Sequence, residues 1–159
     1  MPRSGKITRR MLIPDPIYGS KLLARFINRT MYDGKKSVAQ AQIYQAMELI
    51  EKTAKLDPLK TFETAIANVA PRMEVRPRRI GGASYQIPVE VRGDRREALA
   101  IRWLIEAARA RSNSQYHSFG EKVAAELLDA ADNKGAAIAK KENSLRSAEA
   151  NRAFSHFRF

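Results

Sequence analysis

The hydrophobic period of this chain changes twice, and the two changes bound what it can fold into. Up to Pro71 the apolar residues recur at helical spacing, from Met73 to Val91 they alternate, and beyond Asp94 the helical spacing returns. The alternating stretch sets Met73, Val75 and Pro77 against Glu74, Arg76 and Arg78. After Gly81-Gly82 it sets Tyr85, Ile87, Val89 and Val91 against Gln86, Pro88 and Glu90. This reads as a β-hairpin. Both apolar sets are odd-numbered, so facing residues must sum to an even number to share a face. A two-residue Gly-Gly turn sets apolar against polar, whereas a three-residue loop, Gly81-Gly82-Ala83, restores the match and pairs Val75 with Val89. Prolines in both strands keep them out of a larger sheet, as in a free-standing two-stranded ribbon. Such a ribbon is marginal alone in water, so Arg76, Arg78 and Arg79 near its tip point to an arm that a nucleic acid steadies.

The flanking segments read as helices with their caps. Ser20 is the N-cap of a first helix through about Met31, with Leu22, Leu23, Phe26, Ile27 and Met31 as its apolar face. Tyr32-Asp33-Gly34-Lys35-Lys36 is a turn, and Ser37 caps a second helix carrying Ala39, Ile43, Ala46, Met47, Ile50 and Ala54. Asp57-Pro58 opens a third with Leu59, Phe62, Ile66 and Val69, stopped by Pro71. Asp94 and Glu97 read as a capping box for a fourth, through Leu99, Trp103 and Leu104 to about Arg111. Ser118 and Glu121 read as another for a fifth, with Phe119, Val123, Leu127 and Leu128 inward, and Asp132 starts a sixth held by Ile138, Leu145 and Ala148. The fold expected is therefore mainly α, a single domain of about six helices with a protruding two-stranded β-ribbon between helices three and four. Its divisions are a basic tail over 1–18, a helical domain over 19–153 with the ribbon at about 73–91, and an aromatic-basic tail over 154–159.

Charge decides what such a domain can partner. The 159 residues carry 29 Lys and Arg against 17 Asp and Glu, a net +12, while 44% are apolar, enough for a folded core. Residues 1–36 hold a net +7 and residues 72–111 a net +5, and every base in the second block is arginine. The intervening 37–71 is nearly neutral at −1 and reads as the packing centre. Charge gathered in two blocks marks a binding face for a polyanion. Lys21, Arg25 and Arg29 form an i, i+4, i+8 stripe whose mutual repulsion nearby phosphate would relieve. Arg95, Arg102 and Arg109, seven residues apart, form a second stripe with Arg96 beside it. The ending Phe154-Ser155-His156-Phe157-Arg158-Phe159 suits stacking on bases, or an aromatic anchor on the protein's own helices.

Other function classes find no support. No apolar run approaches the roughly 20 residues that span a bilayer, and Met1-Pro2-Arg3-Ser4-Gly5-Lys6 is not followed by a signal-peptide segment. A soluble intracellular protein is the plain expectation. There is no cysteine, and His117 and His156 stand 39 residues apart, so neither disulfide nor metal site is expected. Gly34-Lys35-Lys36 lacks the glycine five residues earlier that a phosphate-binding loop needs, since Arg29 stands there. Asp129, Asp132, Glu142 and Glu149 read as solvated faces and caps, and no nucleophile, base and orienter come together. Neither an enzyme nor a cofactor is expected.

Four stretches together resemble bacterial-type small-subunit ribosomal protein seven. They are Asp15-Pro16 through Ser20-Lys21-Leu22-Leu23-Ala24-Arg25-Phe26-Ile27 to Gly34-Lys35-Lys36-Ser37, Val75-Arg76-Pro77-Arg78-Arg79-Ile80-Gly81-Gly82, Ala98-Leu99-Ala100-Ile101-Arg102-Trp103-Leu104, and Ala148-Glu149-Ala150-Asn151-Arg152-Ala153-Phe154. Gln42 departs from the family signature, which has an aliphatic residue there, and Phe157-Arg158-Phe159 stands where Tyr and Trp are common. The resemblance implies a mostly helical protein with a ribbon between its third and fourth long helices. It implies direct binding to 16S ribosomal RNA in its 3′ major domain, nucleation of the subunit head, and a cytoplasmic place in the small subunit, a plastid source being left open. It further implies an interface position near the exit-site transfer RNA and messenger RNA, with small-subunit proteins nine and eleven as neighbours. In some bacteria a free copy represses its own operon.

The expected mechanism is clamping on phosphate. The bases assigned to ribosomal RNA are Arg3, Lys6, Arg9, Arg10, Lys21, Arg25, Arg29, Lys35, Lys36, Arg72, Arg95, Arg96, Arg102, Arg109 and Arg111. Arg76, Arg78, Arg79, Gly81 and Gly82 form the ribbon arm assigned to transfer and messenger RNA. Arginine suits bidentate phosphate contacts and stacking, and shape supplies specificity because the A-form major groove is closed to side chains. Two rivals share this charge footprint: a helical DNA-binding regulator with a β-arm, and a substrate-binding subunit of an RNA-processing enzyme.

Overall fold

A computed structural model describes residues 11–157. Six α-helices and one β-hairpin follow in the expected order: α1 (Lys21–Thr30), α2 (Lys36–Ala54), α3 (Pro58–Val69), β1 (Met73–Ile80), β2 (Ala83–Glu90), α4 (Gly93–Ala110), α5 (Phe119–Ala131) and α6 (Ala136–Ala150), closed by a 3-10 helix over Arg152–Phe157. The protein is a mainly helical single domain, with the hairpin between α3 and α4.

Three of the local signals act as read. Ser20 Oγ accepts from Leu23 N at 3.3 Å, Asp57 Oδ1 from Leu59 N at 3.0 Å, and Ser118 Oγ from Glu121 N at 3.2 Å. Each satisfies an amide that the first helical turn leaves without a partner. Glu121 answers by accepting from His117 N at 2.8 Å. Three others do not. Helix α2 begins at Lys36, off a left-handed Asp33-Gly34 turn (φ 51° and 72°), so Ser37 lies inside its first turn rather than at its cap. Helix α4 begins at Gly93, ahead of Asp94, and the Glu97 carboxylate is held by Arg25 instead. Asp132 ends α5 rather than opening α6. Left-handed Asn133 (φ 58°) and Gly135 (φ 91°) turn the chain, and Gly135 is the N-cap of α6.

The core joins all six α-helices. Leu23, Phe26 and Ile27 of α1 meet Ile43, Met47 and Ile50 of α2, Phe62 and Val69 of α3, Leu104 of α4, Val123 and Leu127 of α5 and Ile138 of α6. Phe26 and Phe62 pack edge to face at 5.3 Å, the geometry the ring quadrupole prefers. Helices α2 and α5 approach so closely at Gly120 that an added Cβ would lie 2.9 Å from both Gln42 O and Gln45 Oε1. Gly120→Ala must push the two helices apart, and urea denaturation should register a loss of about 1–3 kcal/mol.

The hairpin register differs from the expected one. The turn is the two-residue Gly81-Gly82, with φ 57° and 91°, and Val75 faces Pro88 while Val89 faces Glu74. Positive φ at both central residues makes a turn whose twist matches that of the strands. That turn chemistry prevails over matching the apolar faces. Arg76 and Arg78 consequently stand opposite Ile87 and Tyr85. Nor is the ribbon free-standing. Ile87 and Pro88 are buried, Ser144 Oγ of α6 donates to Met73 O at 3.3 Å, and Tyr85 packs against Phe154 and Phe157 at 5.4 and 5.6 Å. Phe154 and Phe157 therefore anchor on the ribbon rather than on the helices, and Arg158 and Phe159 lie outside the described residues.

Candidate nucleic-acid interface

Arginines from α1 and α4 meet across a shallow groove. Arg25 pairs with Glu97 at 2.5 Å and with Asp94 at 3.7 Å. Farther along α4, Arg109 donates to Thr30 O at 3.1 Å and lays its guanidinium over the Tyr32 ring at 4.1 Å. These contacts pin the two helices together, so the repulsion read along the Lys21, Arg25, Arg29 stripe is relieved partly by the protein's own carboxylates. Between the pins lies a concavity of about 340 Å³ lined by Arg25, Arg29, Asp94, Ala98, Ile101 and Arg102. It continues into a smaller recess lined by Arg29, Met31, Tyr32, Arg102, Ile105, Glu106 and Arg109. Arg29 and Arg102 line both, are exposed, and make no ion pair among the described residues. Unlike Arg25 and Arg109, they also make no hydrogen bond or ring contact among the described residues.

A second arginine-lined surface lies at the base of the ribbon. Glu74, 8% exposed, accepts from Arg76 Nε at 2.5 Å and from Arg95 Nε at 2.8 and 2.9 Å. The bonds place Arg95 here, away from the groove that takes Arg102 and Arg109, so the expected helix-four stripe divides between two surfaces. Arg76, Arg78, Arg92 and Arg95 surround a concavity of about 560 Å³ floored by Ile87 and Val89. Arg72, Arg78, Arg79 and Arg92 are exposed and make no ion pair among the described residues. Arg92 was not in the expected set. Its signal was its place in the all-arginine block, immediately before the fourth helix.

Burial pushes the Glu74 carboxyl up, but hydrogen bonds from Arg95 and Arg76 outweigh it and hold the group below its ordinary 4.5. The stability it contributes is full above pH 4.5 and is lost as pH falls through its lower folded value. Amide protection factors across β1 and β2, corrected for the intrinsic pH dependence of exchange, should therefore fall on acidification below that point, and Glu74→Gln should flatten the response.

Not every assigned base faces outward. Arg111 lies across α5: Glu126 accepts from its Nε at 2.8 Å, Asp129 accepts from Nη2, and Nη1 donates to Tyr116 Oη at 3.1 Å. Glu126 is 2% exposed, and its other oxygen accepts from Ala137 N at 3.0 Å at the start of α6. Burial lowers the affinity of Arg111 for its proton, and bonds to Asp129 and Glu126 more than restore it. Arg111 is thus engaged by two carboxylates and a hydroxyl of the protein itself. Arg96 is half-buried, and its Nε has no partner among the described residues. Lys21, Lys35 and Lys36 are exposed beside the groove elements. Arg3, Lys6, Arg9 and Arg10 lie outside the described residues, but the chain leading from them is anchored. Asp15, 3% exposed, accepts from Tyr18 N at 3.1 Å and from the Tyr44 hydroxyl at 2.7 Å. Burial, with the Asp15 bond, pushes Tyr44 up to about 12.

No helix of the described residues is long and apolar enough to cross a membrane, and none of their His, Asp and Glu residues gather as a metal site. The family model for ribosomal protein S7p/S5e matches residues 2–152. The small ribosomal subunit protein uS7 of Xanthobacter autotrophicus is 57% identical over 159 residues, covering all of both chains. The proteins of that name from Caldicellulosiruptor saccharolyticus and Carboxydothermus hydrogenoformans are 54% and 53% identical, again over the whole of both chains. With its helical frame, its hairpin and this full-length identity, the chain belongs to the ribosomal protein S7p/S5e family.

Proposed function

We propose that this protein is a structural, non-catalytic constituent of the small ribosomal subunit that binds the 3′ major domain of 16S ribosomal RNA. The observation that carries the reading is the pair of concave arginine surfaces. Each sets guanidinium groups with no ion pair among the described residues, Arg29 and Arg102 in one and Arg78 and Arg92 in the other, around an apolar floor. Ion pairs hold the neighbouring Arg25, Arg76 and Arg95 in place as a rigid frame. Two separated concavities on one rigid body fit the backbones of a folded multi-helix junction, where shape gives specificity. By binding this domain early the protein would nucleate the subunit head. The ribbon, with Arg78, Arg79, Gly81 and Gly82 toward its tip, would lie near exit-site transfer RNA and messenger RNA, and small-subunit proteins nine and eleven would be its neighbours. Its place is then the cytoplasm, within the subunit.

Binding to a 16S 3′-domain transcript and to an equal length of duplex DNA, in moderate salt, tests the reading. Preference for the RNA is expected. Preference for the duplex sinks it in favour of a DNA-binding regulator.

A further inference from the structure

A recess of about 500 Å³ opens where the α1–α2 turn, α2, the end of α4 and the start of α5 converge. Its walls are mostly apolar, with Val38 58% exposed and Tyr32 64% exposed, although Arg109 covers one face of the Tyr32 ring. Phe119 lines it from α5. Large apolar side chains left open to water at a concave site call for an occupant. Lys35 lines the recess and Lys36 follows it, and Tyr32 and Arg109 also line the arginine groove between α1 and α4, so the recess continues that groove.

Gln42 adds a directional feature. Its Oε1 accepts from Gly120 N at 3.0 Å, which fixes the amide's orientation, because a backbone N–H demands the oxygen. The Nε2 donors then have no hydrogen-bond partner among the described residues, and the side chain lines the recess. An aromatic and aliphatic wall, an oriented donor and a rim where Lys35 and Arg109 outnumber the one carboxylate, Asp33, together match one flat, polar-edged group joined to a phosphate.

We propose that this recess takes one unpaired nucleobase, extruded from the RNA whose backbone lies in the adjoining groove. The base packs among Tyr32, Val38 and Phe119, Gln42 Nε2 donates to an acceptor on its edge, and Lys35 meets its phosphate. The proposal rests on the RNA-binding reading above, but the two can fail separately.

The test uses the full chain and the 16S 3′-domain transcript. Val38→Trp fills the recess from an exposed position, so Tm should stay within a degree or two. Affinity should fall about tenfold, in keeping with the loss of one stacked base. The salt slope should become shallower by no more than about 0.7–0.9, because the Lys35 contact is the one phosphate contact at stake. Probing of Watson–Crick edges should show one nucleotide that is protected by the native protein and reactive in the V38W complex. Gln42→Glu keeps an acceptor for Gly120 N while removing the donors, and should weaken binding severalfold with the fold intact. Unchanged affinity and unchanged protection in both variants, with native binding still tight, overturns the pocket alone. Failure of the native protein to prefer the RNA overturns the reading beneath it.

Discussion

Arg111→Met will unfold this protein more readily than any substitution of an exposed arginine, by about 3–5 kcal/mol, the cost of leaving a buried carboxylate without its cation. Glu126 is 2% exposed, and Arg111 gives it both a hydrogen bond and a charge partner. Without that guanidinium, Glu126 stands in the core without its charge partner, and Asp129 loses the same ion pair. For a domain of this size the midpoint should drop by roughly 6–20 °C. The double variant Arg111→Met, Glu126→Gln should recover much of the loss, since a neutral amide can still accept from Ala137 N. Urea titrations of the native protein, both single variants and the double measure the coupling. A loss below about 1 kcal/mol for the single Arg111 variant would mean that water reaches the triad.

Arg29→Ala with Arg102→Ala should produce the largest loss in RNA binding with little change in stability. Both side chains are exposed and neither is ion-paired among the described residues. If each meets one phosphate, the slope of log K against log salt should become shallower by about 1.4–1.8, and affinity at 0.1 M salt should fall about ten- to a hundredfold. Arg78→Ala with Arg79→Ala forms the matching test of the ribbon. Arg76 is left in place there because it bonds the buried Glu74, and removing it would mix a structural defect into the binding result. Thermal midpoints of both double variants should stay near the native value, as surface changes generally cost within about 0.5 kcal/mol. Unaltered salt slopes would show that the RNA lies elsewhere.

What could be read from the residues alone follows the distance over which each interaction acts. The caps at Ser20, Asp57 and Ser118 lie two or three residues from the amides they satisfy, and all three were legible. Helical periodicity placed the six helices because the side chains that pack together repeat within each segment. The hairpin was legible as a hairpin but not in register. Matching apolar faces and turn chemistry make opposite demands at Gly81-Gly82, and the turn decides. The binding surfaces were legible as two blocks of charge. Which cations remain available was not, because the carboxylates that hold Arg25 and Arg95 lie 72 and 21 residues away. The same holds for Arg111, which counts as one more base in composition and as a core residue in the fold. Tyr32 was read only as part of a turn, and its role appears when Arg109, brought from α4, covers its ring.

The two-stranded ribbon has a consequence for the protein before it meets any partner. A hairpin exposes two open edges, each a template on which another extended chain could add and begin aggregation. Here β1 contains Pro77 and β2 contains Pro88, and a proline has no amide to offer a third strand. Arg76, Arg78 and Arg79 crowd one strand with like charge, so two ribbons brought side by side repel each other. The arm thus discourages self-assembly by the same arginines that draw it to a polyanion, and a newly made copy can stay dispersed until it docks.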